Sequence, residues 1–179
     1  MNFKILLLST MADFTGQHEQ QMIKLPVSKD ALNKIMNQLE TDSFGRSEYV
    51  YVGYHSPISE LNGVIRSGDS VADLNELARK FVPLEDDYGK IYTYKALLEQ
   101  FRPKDTNEAI KLLDKVSEYE LLDEDIDTPD LLGQYLSDEL GLYETDGTYS
   151  NYEAIGFDFP AYLTSYGYLC KKVDLERRI

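Results

Sequence analysis

The feature that most constrains this chain is a long stretch, Val116 to Cys170, that contains no lysine or arginine although Lys115 and Lys171 border it. This acidic segment carries a formal charge of −13, and the net charge of the whole chain is −14. A negative field concentrated in this way repels nucleic acid and attracts proteins that bind nucleic acid. The carboxylates of the segment are Glu118, Glu120, Asp123, Glu124, Asp125, Asp127, Asp130, Asp138, Glu139, Glu144, Asp146, Glu153 and Asp158.

The acidic segment has the pattern of a folded region. Leu131, Leu132 and Leu136 recur at helical spacing, whereas a disordered acidic tail lacks such residues. We therefore expect the carboxylates to be fixed in space by the elements that carry them. The tyrosines expected to be buried or half-buried among them are Tyr135, Tyr143, Tyr152 and Tyr168.

Length and composition favour several small modules. A chain of 179 residues can form one sizeable core or two or three modules. A hydrophobic content of 42% with 14 tyrosines and no tryptophan favours an elongated shape with much surface per residue. We predict an elongated α+β chain of three modules: a β-β-α-β module at residues 1–68, a small helical module at 69–117 and an acidic α+β module at 118–179.

The first module combines strands with one helix. An apolar run predicts a buried strand at Phe3–Ser9, and polar residues without periodicity predict a loop at Thr10–Gln20. The remaining elements are a strand at Met22–Val27, a helix from Ser28 to Glu40 that Ser28 caps, a turn containing Phe44 and Gly45, and a strand at Tyr49–Tyr54.

The second module contains three helical patterns and no strand pattern. Ser70 with Asp73, and Asp105 with Glu108, have the spacing of capping boxes at helix starts. Pro83 limits the first helix. The second helix covers Glu85–Phe101, and the third runs from Asp105 to Val116. The apolar positions at helical spacing are Val71, Leu74, Leu77, Ala78 and Phe81, then Ile91, Tyr94, Leu97, Leu98 and Phe101, then Ala109, Ile110, Leu112, Leu113 and Val116.

The third module mixes short helices with strands. Thr128 followed by Pro129 predicts a helix start, because proline at the first helical position lacks only an amide that has no partner there. Glu139 falls on the apolar side of this helix, so either the helix frays towards Gly141 or Glu139 makes a contact that the pattern does not show. The buried side is predicted to hold Leu131, Leu132, Tyr135 and Leu136. The other elements are a strand at Glu118–Leu122, a helix at Tyr152–Phe159 ended by Pro160, and a strand at Ser165–Val173.

The sequence lacks the motifs of common enzyme classes. His18 and His55 are not spaced as metal ligands, and no metalloprotease, serine-hydrolase, phosphate-loop or dinucleotide motif occurs. No cluster of lysine and arginine accompanies the aromatic residues, so direct binding of nucleic acid is not expected. We predict a protein without catalytic residues and without a cofactor.

A calcium loop is the one metal motif that the sequence approaches. Asp123, Asp125 and Asp127 have the spacing of its first three ligands. Thr128 and Gln134 then stand where the loop requires glycine and glutamate. We therefore predict no metal site.

The chain has the features of a cytoplasmic protein. Its single cysteine, Cys170, cannot form an internal disulfide, which fits a reducing compartment. The apolar run Phe3–Leu8 is too short for a signal-peptide core or a membrane span. We predict a cytoplasmic location and no membrane association.

Several short motifs follow one another along nearly the whole chain. They are Met11-Ala12-Asp13-Phe14-Thr15-Gly16, Ser70 to Ala78, Asn107-Glu108-Ala109-Ile110, Asp130 to Leu136, Glu139-Leu140-Gly141 and Asn151 to Phe159. Through these motifs the sequence resembles the ArdA antirestriction proteins, acidic DNA mimics carried by mobile elements. The last motif is similar to the family's antirestriction motif, although Asn151 replaces an acid, Ile155 an aromatic residue and Phe157 an arginine.

The resemblance implies a curved, elongated α+β homodimer without catalytic residues. It implies that the dimer occupies the DNA-binding groove of a type I restriction–modification enzyme.

B-DNA presents one charge per roughly 1.7 Å, and Asp130 and Asp138, eight residues apart on one helix, are expected to stand about 12 Å apart along its axis. The predicted partner-binding surface is Glu118, Glu120, Asp123, Glu124, Asp125, Asp127, Asp130, Asp138, Glu144 and Asp146. The dimer contact that the resemblance implies is Tyr152, Glu153, Ala154, Ile155, Phe157 and Asp158.

Two other functions stay open at this point. The same charges suit an acidic adaptor that binds another basic nucleic-acid-binding protein, and a pull-down from lysate without a restriction subunit would favour it. The acidic loop also suits a metal-dependent hydrolase, which a thermal shift with calcium, magnesium or manganese would reveal.

Overall fold

The computed structural model of the chain describes residues 3–12, 18–38, 49–66, 69–144 and 149–176. Within these ranges the protein has the predicted α+β fold, with seven α-helices and two three-stranded antiparallel sheets. The chain divides into two compact units: unit 1 contains residues 1–85 and 103–110, and unit 2 contains residues 86–102 and 111–179. The predicted middle module is thus distributed over both units, whereas the acidic segment lies entirely in unit 2.

Unit 1 is built on a sheet with the strand order β2-β1-β3. Its strands are β1 (Phe3–Ala12), β2 (His18–Leu25) and β3 (Tyr49–His55), and its helices are α1 (Lys29–Gln38) and α2 (Val71–Phe81). Helix α4 (Thr106–Lys115) contributes residues to both units. The strands and helices predicted at these positions are confirmed. The predicted turn with Phe44 and Gly45 lies outside the described residues.

The loop predicted at Thr10–Gln20 is wrong at both ends. Strand β1 continues to Ala12 and β2 begins at His18, and these two residues pair with each other. The side chains here lack apolar periodicity, but antiparallel pairing uses backbone groups that every residue other than proline carries. Backbone pairing therefore extends both strands beyond the part that the side-chain pattern marks.

Helix α2 forms where the sequence predicts it. The Ser70 hydroxyl oxygen accepts a hydrogen bond from the Asp73 N–H at 3.0 Å, which caps the helix start. All five residues predicted to be buried on this helix are buried, and the helix ends at Phe81, two residues before Pro83. Phe81 packs edge-on against Phe3 of β1 with ring centroids 5.6 Å apart. The helix thus closes one side of the unit 1 core.

Unit 2 is built on a second sheet, with the strand order β4-β6-β5. Its strands are β4 (Tyr119–Leu121), β5 (Ala161–Thr164) and β6 (Gly167–Lys171). Its other helices are α3 (Tyr88–Phe101), α5 (Pro129–Gln134), α6 (Tyr149–Asp158) and α7 (Lys172–Leu175), with a π-helical segment at Tyr135–Glu139. Single turns of 3-10 helix occur at Ser59–Leu61 and Val82–Leu84 in unit 1 and at Val116–Glu118 in unit 2.

The predicted strand Ser165–Val173 needs correction. Strand β6 ends at Lys171 and helix α7 follows at once, so the strand is shorter than predicted. Strand β5, which the sequence analysis missed, forms a tight hairpin with β6 through Ser165 and Tyr166. The turn is fixed by the Glu99 carboxylate, which accepts hydrogen bonds from the Ser165 N–H at 3.0 and 3.2 Å.

Helix α3 begins later than predicted. Its cap is Asp87, whose carboxylate accepts a hydrogen bond from the Lys90 N–H at 3.1 Å. The apolar positions of the predicted helix are buried with one exception, since Phe101 is 42% exposed in the last turn. Its ring contacts the rings of Tyr119 and Tyr162 edge-on, with centroids 6.1 and 5.7 Å away.

The helix of the acidic segment departs from α geometry. Leu132 and Leu136 are fully buried, as predicted, whereas Leu131 is 37% exposed, so its predicted burial is wrong. The π-helical segment Tyr135–Glu139 has more residues per turn than an α-helix, which turns Glu139 away from the apolar side. Glu139 is therefore exposed, and no buried contact is needed to explain it.

Helices α5 and α6 cross with almost no space between their backbones. A Cβ atom on Gly133 would overlap the Tyr152 carbonyl group, and a Cβ atom on Gly156 would overlap the Pro129 carbonyl group. Glycine is the residue that allows two backbones to approach so closely. The two glycines therefore fix the relative position of the helices that carry much of the acidic segment.

The core below these helices is formed by buried apolar residues. Tyr168 is buried, and Tyr135, Tyr143 and Tyr152 are half-buried, as expected from the sequence. The core residues are Leu122, Leu132, Leu136, Leu142, Phe159, Tyr168 and Cys170.

Candidate functional site

The carboxylates of the acidic segment lie on several elements of unit 2. Glu118 ends a 3-10 turn, Glu120 lies on β4, and Asp130 lies in the first turn of α5. The loop between β4 and α5 carries Asp123, Glu124, Asp125 and Asp127; the π-helical segment carries Asp138 and Glu139; Glu144 follows it; and α6 carries Glu153 and Asp158. We call these 12 side chains the acidic surface. Asp146, also predicted to bind a partner, lies outside the described residues.

The acidic surface is open to solvent. Each of its side chains is exposed except that of Asp130, which is half-buried. In the described part of the chain, no lysine or arginine nitrogen lies within 4.0 Å of any of these carboxylates. The negative charge of these 12 side chains is thus displayed without neutralisation by a lysine or arginine among the described residues.

A short turn fixes the loop with the highest density of acids. The Asp123 carboxylate accepts a hydrogen bond from the Asp125 N–H at 3.3 Å, and the Asp123 carbonyl accepts one from the Ile126 N–H at 3.0 Å. The loop is anchored to the sheet because the Leu122 N–H donates to the Tyr168 carbonyl at 2.9 Å. Four exposed carboxylates are therefore held on a structured turn next to β4.

The negative field of the surface acts on the tyrosines beneath it. The pKa of Tyr135 is raised above its usual value by burial and then by the nearby charges of Glu120 and Glu139. The pKa of Tyr168 is raised by burial and then by Asp127 and Asp130. Carboxylates from different elements thus act on the same phenol groups.

The same field reaches the single cysteine. Burial first, and then the charges of Glu120 and Asp174, raise the pKa of the Cys170 thiol to about 12. The thiol therefore stays protonated at neutral pH and has the character of a buried apolar side chain.

Two predicted regions meet at one hydrogen bond. The Tyr152 hydroxyl of α6 donates to the Asp138 carboxylate, at 2.9 Å from Oδ1 and 3.0 Å from Oδ2. Asp138 belongs to the predicted partner-binding surface, and Tyr152 belongs to the predicted dimer contact. The bond joins the π-helical segment to α6, so these two residues belong to one local structure.

The predicted dimer contact lies on a helix with an open face. Glu153, Ala154, Phe157 and Asp158 are exposed, and Phe157 is 69% exposed. Tyr152 and Ile155 are half-buried, and the opposite side of α6 is occupied by the close crossing with α5. The open face is available to a second copy, and the dimer contact stays a prediction.

The described residues contain no group of three or more histidine, cysteine, aspartate or glutamate side chains arranged to hold a metal ion. Asp123, Asp125 and Asp127, which approach the spacing of a calcium loop, are all exposed. The Asp123 carboxylate accepts a hydrogen bond from the backbone of the same loop. The loop has the form of a surface turn.

Sequence reasoning missed a groove beside β4. Its lining includes Tyr92 and Thr93 of α3 as well as Glu120, Asp123 and Glu124 of the acidic surface. The acids were predicted, but the residues of α3 were not assigned any role. Their proximity to β4 results from tertiary packing across unit 2, and no local sequence pattern reports it.

In the part of the chain that the structure describes, no helix is both long and apolar enough to cross a bilayer. Comparisons with models of known protein families, with curated proteins and with solved structures each returned no match. The acidic surface and the sequence resemblance are therefore the two grounds for inferring a function.

Proposed function

We propose that this protein is an antirestriction protein: an acidic DNA mimic, related to the ArdA family, that occupies the DNA-binding groove of a type I restriction–modification enzyme and inhibits it. One observation carries the proposal. The carboxylates of the acidic surface, all exposed except the half-buried Asp130, have no lysine or arginine partner among the described residues. Their charge is free to be neutralised by a second protein.

A DNA-binding groove supplies the complementary charge. Proteins neutralise DNA phosphates with lysine and arginine side chains, and this contact supplies much of their affinity for DNA. Carboxylates are negatively charged acceptors, as phosphate oxygens are, so the same cationic side chains can bind them. A surface of carboxylates without basic partners therefore competes for the groove by the same interaction that DNA uses.

A fixed scaffold strengthens this competition. The loop acids are held by the turn at Asp123, and Asp138 is held by the Tyr152 hydroxyl. Helices α5 and α6, which carry other acids, cross closely because Gly133 and Gly156 have no side chain at the crossing. Because binding then orders fewer groups, less affinity is lost to conformational entropy.

The proposal needs no catalytic residue, cofactor or metal. Inhibition follows from occupancy, since an enzyme whose groove holds protein cannot bind its substrate there. We further propose that the protein acts in the cytoplasm as a homodimer through the open face of α6. Sedimentation at micromolar concentration tests the dimer, and a monomeric mass there contradicts it.

The test of the proposed function is competition with DNA. A purified type I restriction–modification enzyme is bound to a labelled duplex at low salt, and the full-length protein is added. We expect the duplex to be released and cleavage to stop. Retention of the duplex at saturating protein would refute the proposal. Equally strong displacement of DNA from an unrelated basic DNA-binding protein would favour the acidic adaptor.

A further inference from the structure

The groove beside β4 runs along the edge of the unit 2 sheet. It has a volume of about 760 Å³, and its lining includes every residue from Tyr119 to Glu124. Successive residues of a strand point to opposite faces, so a groove on one face of the strand would be lined by every second residue. Lining by consecutive residues places the groove along the edge of β4 and of the loop that follows it.

The edge of β4 carries backbone groups that face away from the sheet. In the described residues β4 pairs with β6 alone. The Leu122 N–H donates to the Tyr168 carbonyl of β6. Because backbone groups alternate in direction along an antiparallel strand, the N–H and C=O of Leu121 point outward. The outward edge of a strand is a template on which another strand can pair.

The groove is suited to a cationic segment. Glu120, Asp123 and Glu124 line it, against the two cations Lys90 and Lys172. Lys90 is already paired, since its ammonium group lies 2.8 Å from the Asp87 carboxylate. The groove therefore keeps an excess of negative charge next to the open strand edge.

The aromatic rings of the groove already contact a cation of the same chain. Tyr92 and Tyr166 line the groove, and the Lys95 ammonium group lies 5.5 Å from the centroid of each ring. At this distance the face of a tyrosine ring attracts a positive charge. Because Lys95 already occupies this position, the attraction for an incoming arginine or lysine comes from the carboxylates of the groove.

We propose that the edge of β4 is a docking site for an extended basic segment of the partner protein, which joins the unit 2 sheet as an additional strand. The inference rests on the proposed function for the class of partner, a basic nucleic-acid-binding protein. It adds a directional contact that mimicry of phosphate charge does not require. Alternate side chains of the segment meet the acids of the groove, and backbone hydrogen bonds to Leu121 set its register.

The first test uses a labelled peptide that alternates arginine and valine, bound to the full-length protein and followed by fluorescence anisotropy. The amides of an extended peptide point alternately to its two edges and so form two sets. One version of the peptide carries N-methyl groups on the first set, and a second version carries them on the other set. A strand that pairs through one edge needs one set only. We expect methylation of that set to weaken binding about tenfold and methylation of the other set to leave it unchanged. Equal affinity of both versions, or no binding of the unmethylated peptide, overturns the docking site.

The second test changes the protein. Leu121→Pro removes an outward N–H from β4 while leaving its hydrogen bonds to β6 in place. The matched control is Leu163→Pro at the other edge of the same sheet. Leu163 pairs with Tyr168, whose carbonyl faces β4, so the Leu163 N–H points outward too. We expect Leu121→Pro to weaken peptide binding about tenfold and Leu163→Pro to have no effect.

The two proposals can fail separately. Circular dichroism first establishes whether both proline variants are folded. If either variant is unfolded, the two methylated peptides still test the docking site on the unchanged protein. Suppose that the unchanged protein displaces DNA from the restriction enzyme, but that both methylated peptides bind equally well and Leu121→Pro does not weaken peptide binding. The docking site is then wrong and the proposed function stands. If the unchanged protein does not displace DNA, the proposed function is wrong whatever the peptide does.

Discussion

The carboxylates of unit 1 and those of the acidic surface of unit 2 have different roles. In unit 1, Asp69 accepts hydrogen bonds from the Arg66 N–H at 2.8 Å and the Thr106 hydroxyl at 2.6 Å. Glu76 pairs with Arg79 through both oxygens, at 2.9 and 2.7 Å. On the acidic surface of unit 2, among described residues, hydrogen bonds reach the carboxylates of Asp123 and Asp138 alone.

The difference shows which acids contribute to the stability of the fold. Unit 1 uses acids to cap helices and to join elements, so these acids contribute to folding. The acidic segment is held instead by an apolar core and by the close crossing of α5 and α6. Acids that the fold does not need are available to a partner.

Reversing the charge of the loop acids should affect binding most. Replacing Asp123, Glu124, Asp125 and Asp127 by lysine should lower affinity for the restriction enzyme on the order of a hundredfold at low salt, because like charges then face each other. Competition with labelled DNA measures the loss. A control variant replaces four exposed acids elsewhere with lysine: Asp30, Asp86, Asp114 and Glu176. The same loss in the control would mean that net charge, and not the acidic surface, determines binding.

Adding a methyl group at the crossing of α5 and α6 should lower the stability of unit 2. In Gly156→Ala the new methyl group overlaps the Pro129 backbone, and we expect a loss of about 1–3 kcal/mol in the free energy of unfolding. Gly89→Ala in α3 is the control, because its methyl group meets only the Asp87 carboxylate at 3.5 Å. The control should keep or raise stability by about 0.4–1 kcal/mol. Urea unfolding measures both, and a neutral Gly156→Ala would contradict the close crossing.

Removing a single acid should affect stability in unit 1 and not on the acidic surface. Asp69→Ala leaves the Thr106 hydroxyl, which is 1% exposed, without its acceptor, and should cost about 1–3 kcal/mol. Asp125→Ala should change stability by less than about 0.5 kcal/mol. The same urea titration compares them. Equal losses would show that surface acids also hold the fold.

Raising the pH should destabilise the protein gradually. The pKa of the Cys170 thiol is raised to about 12 in the folded protein, so the unfolded chain loses this proton first. The stabilisation is complete below the ordinary thiol pKa and is lost as the pH rises towards about 12. Tyr119, Tyr135 and Tyr168, whose pKa values are also raised, add to the same trend. Cys170→Ala should show a shallower loss in alkaline unfolding curves, and an unchanged curve would contradict the raised thiol pKa.

The sequence predicts best where several signals coincide. In α2, apolar periodicity, a serine cap and a following proline agree, and both the helix and its buried face are confirmed. The exposure of the acidic surface follows from the number of acids and the absence of bases, since a core cannot hold unpaired charges. These features depend on local chemistry alone.

The features that sequence reasoning missed depend on which other segment of the chain each segment pairs with or packs against. Strand β5 has four residues and forms because β6 offers it an edge. The polar ends of β1 and β2 are strands because they pair with each other. The exposure of Glu139 follows from the π-helical segment. The groove beside β4 needs α3, which is distant in sequence, and so it has no local signature.

The most direct test of the central claim is the salt dependence of binding. Mimicry of phosphate charge predicts that the logarithm of the binding constant for the restriction enzyme falls linearly with the logarithm of salt concentration, as it does for DNA. Neutralising the four loop acids as Asp123→Asn, Glu124→Gln, Asp125→Asn and Asp127→Asn should make this slope shallower. An unchanged slope in that variant, or affinity of the unchanged protein that is independent of salt, would contradict the account.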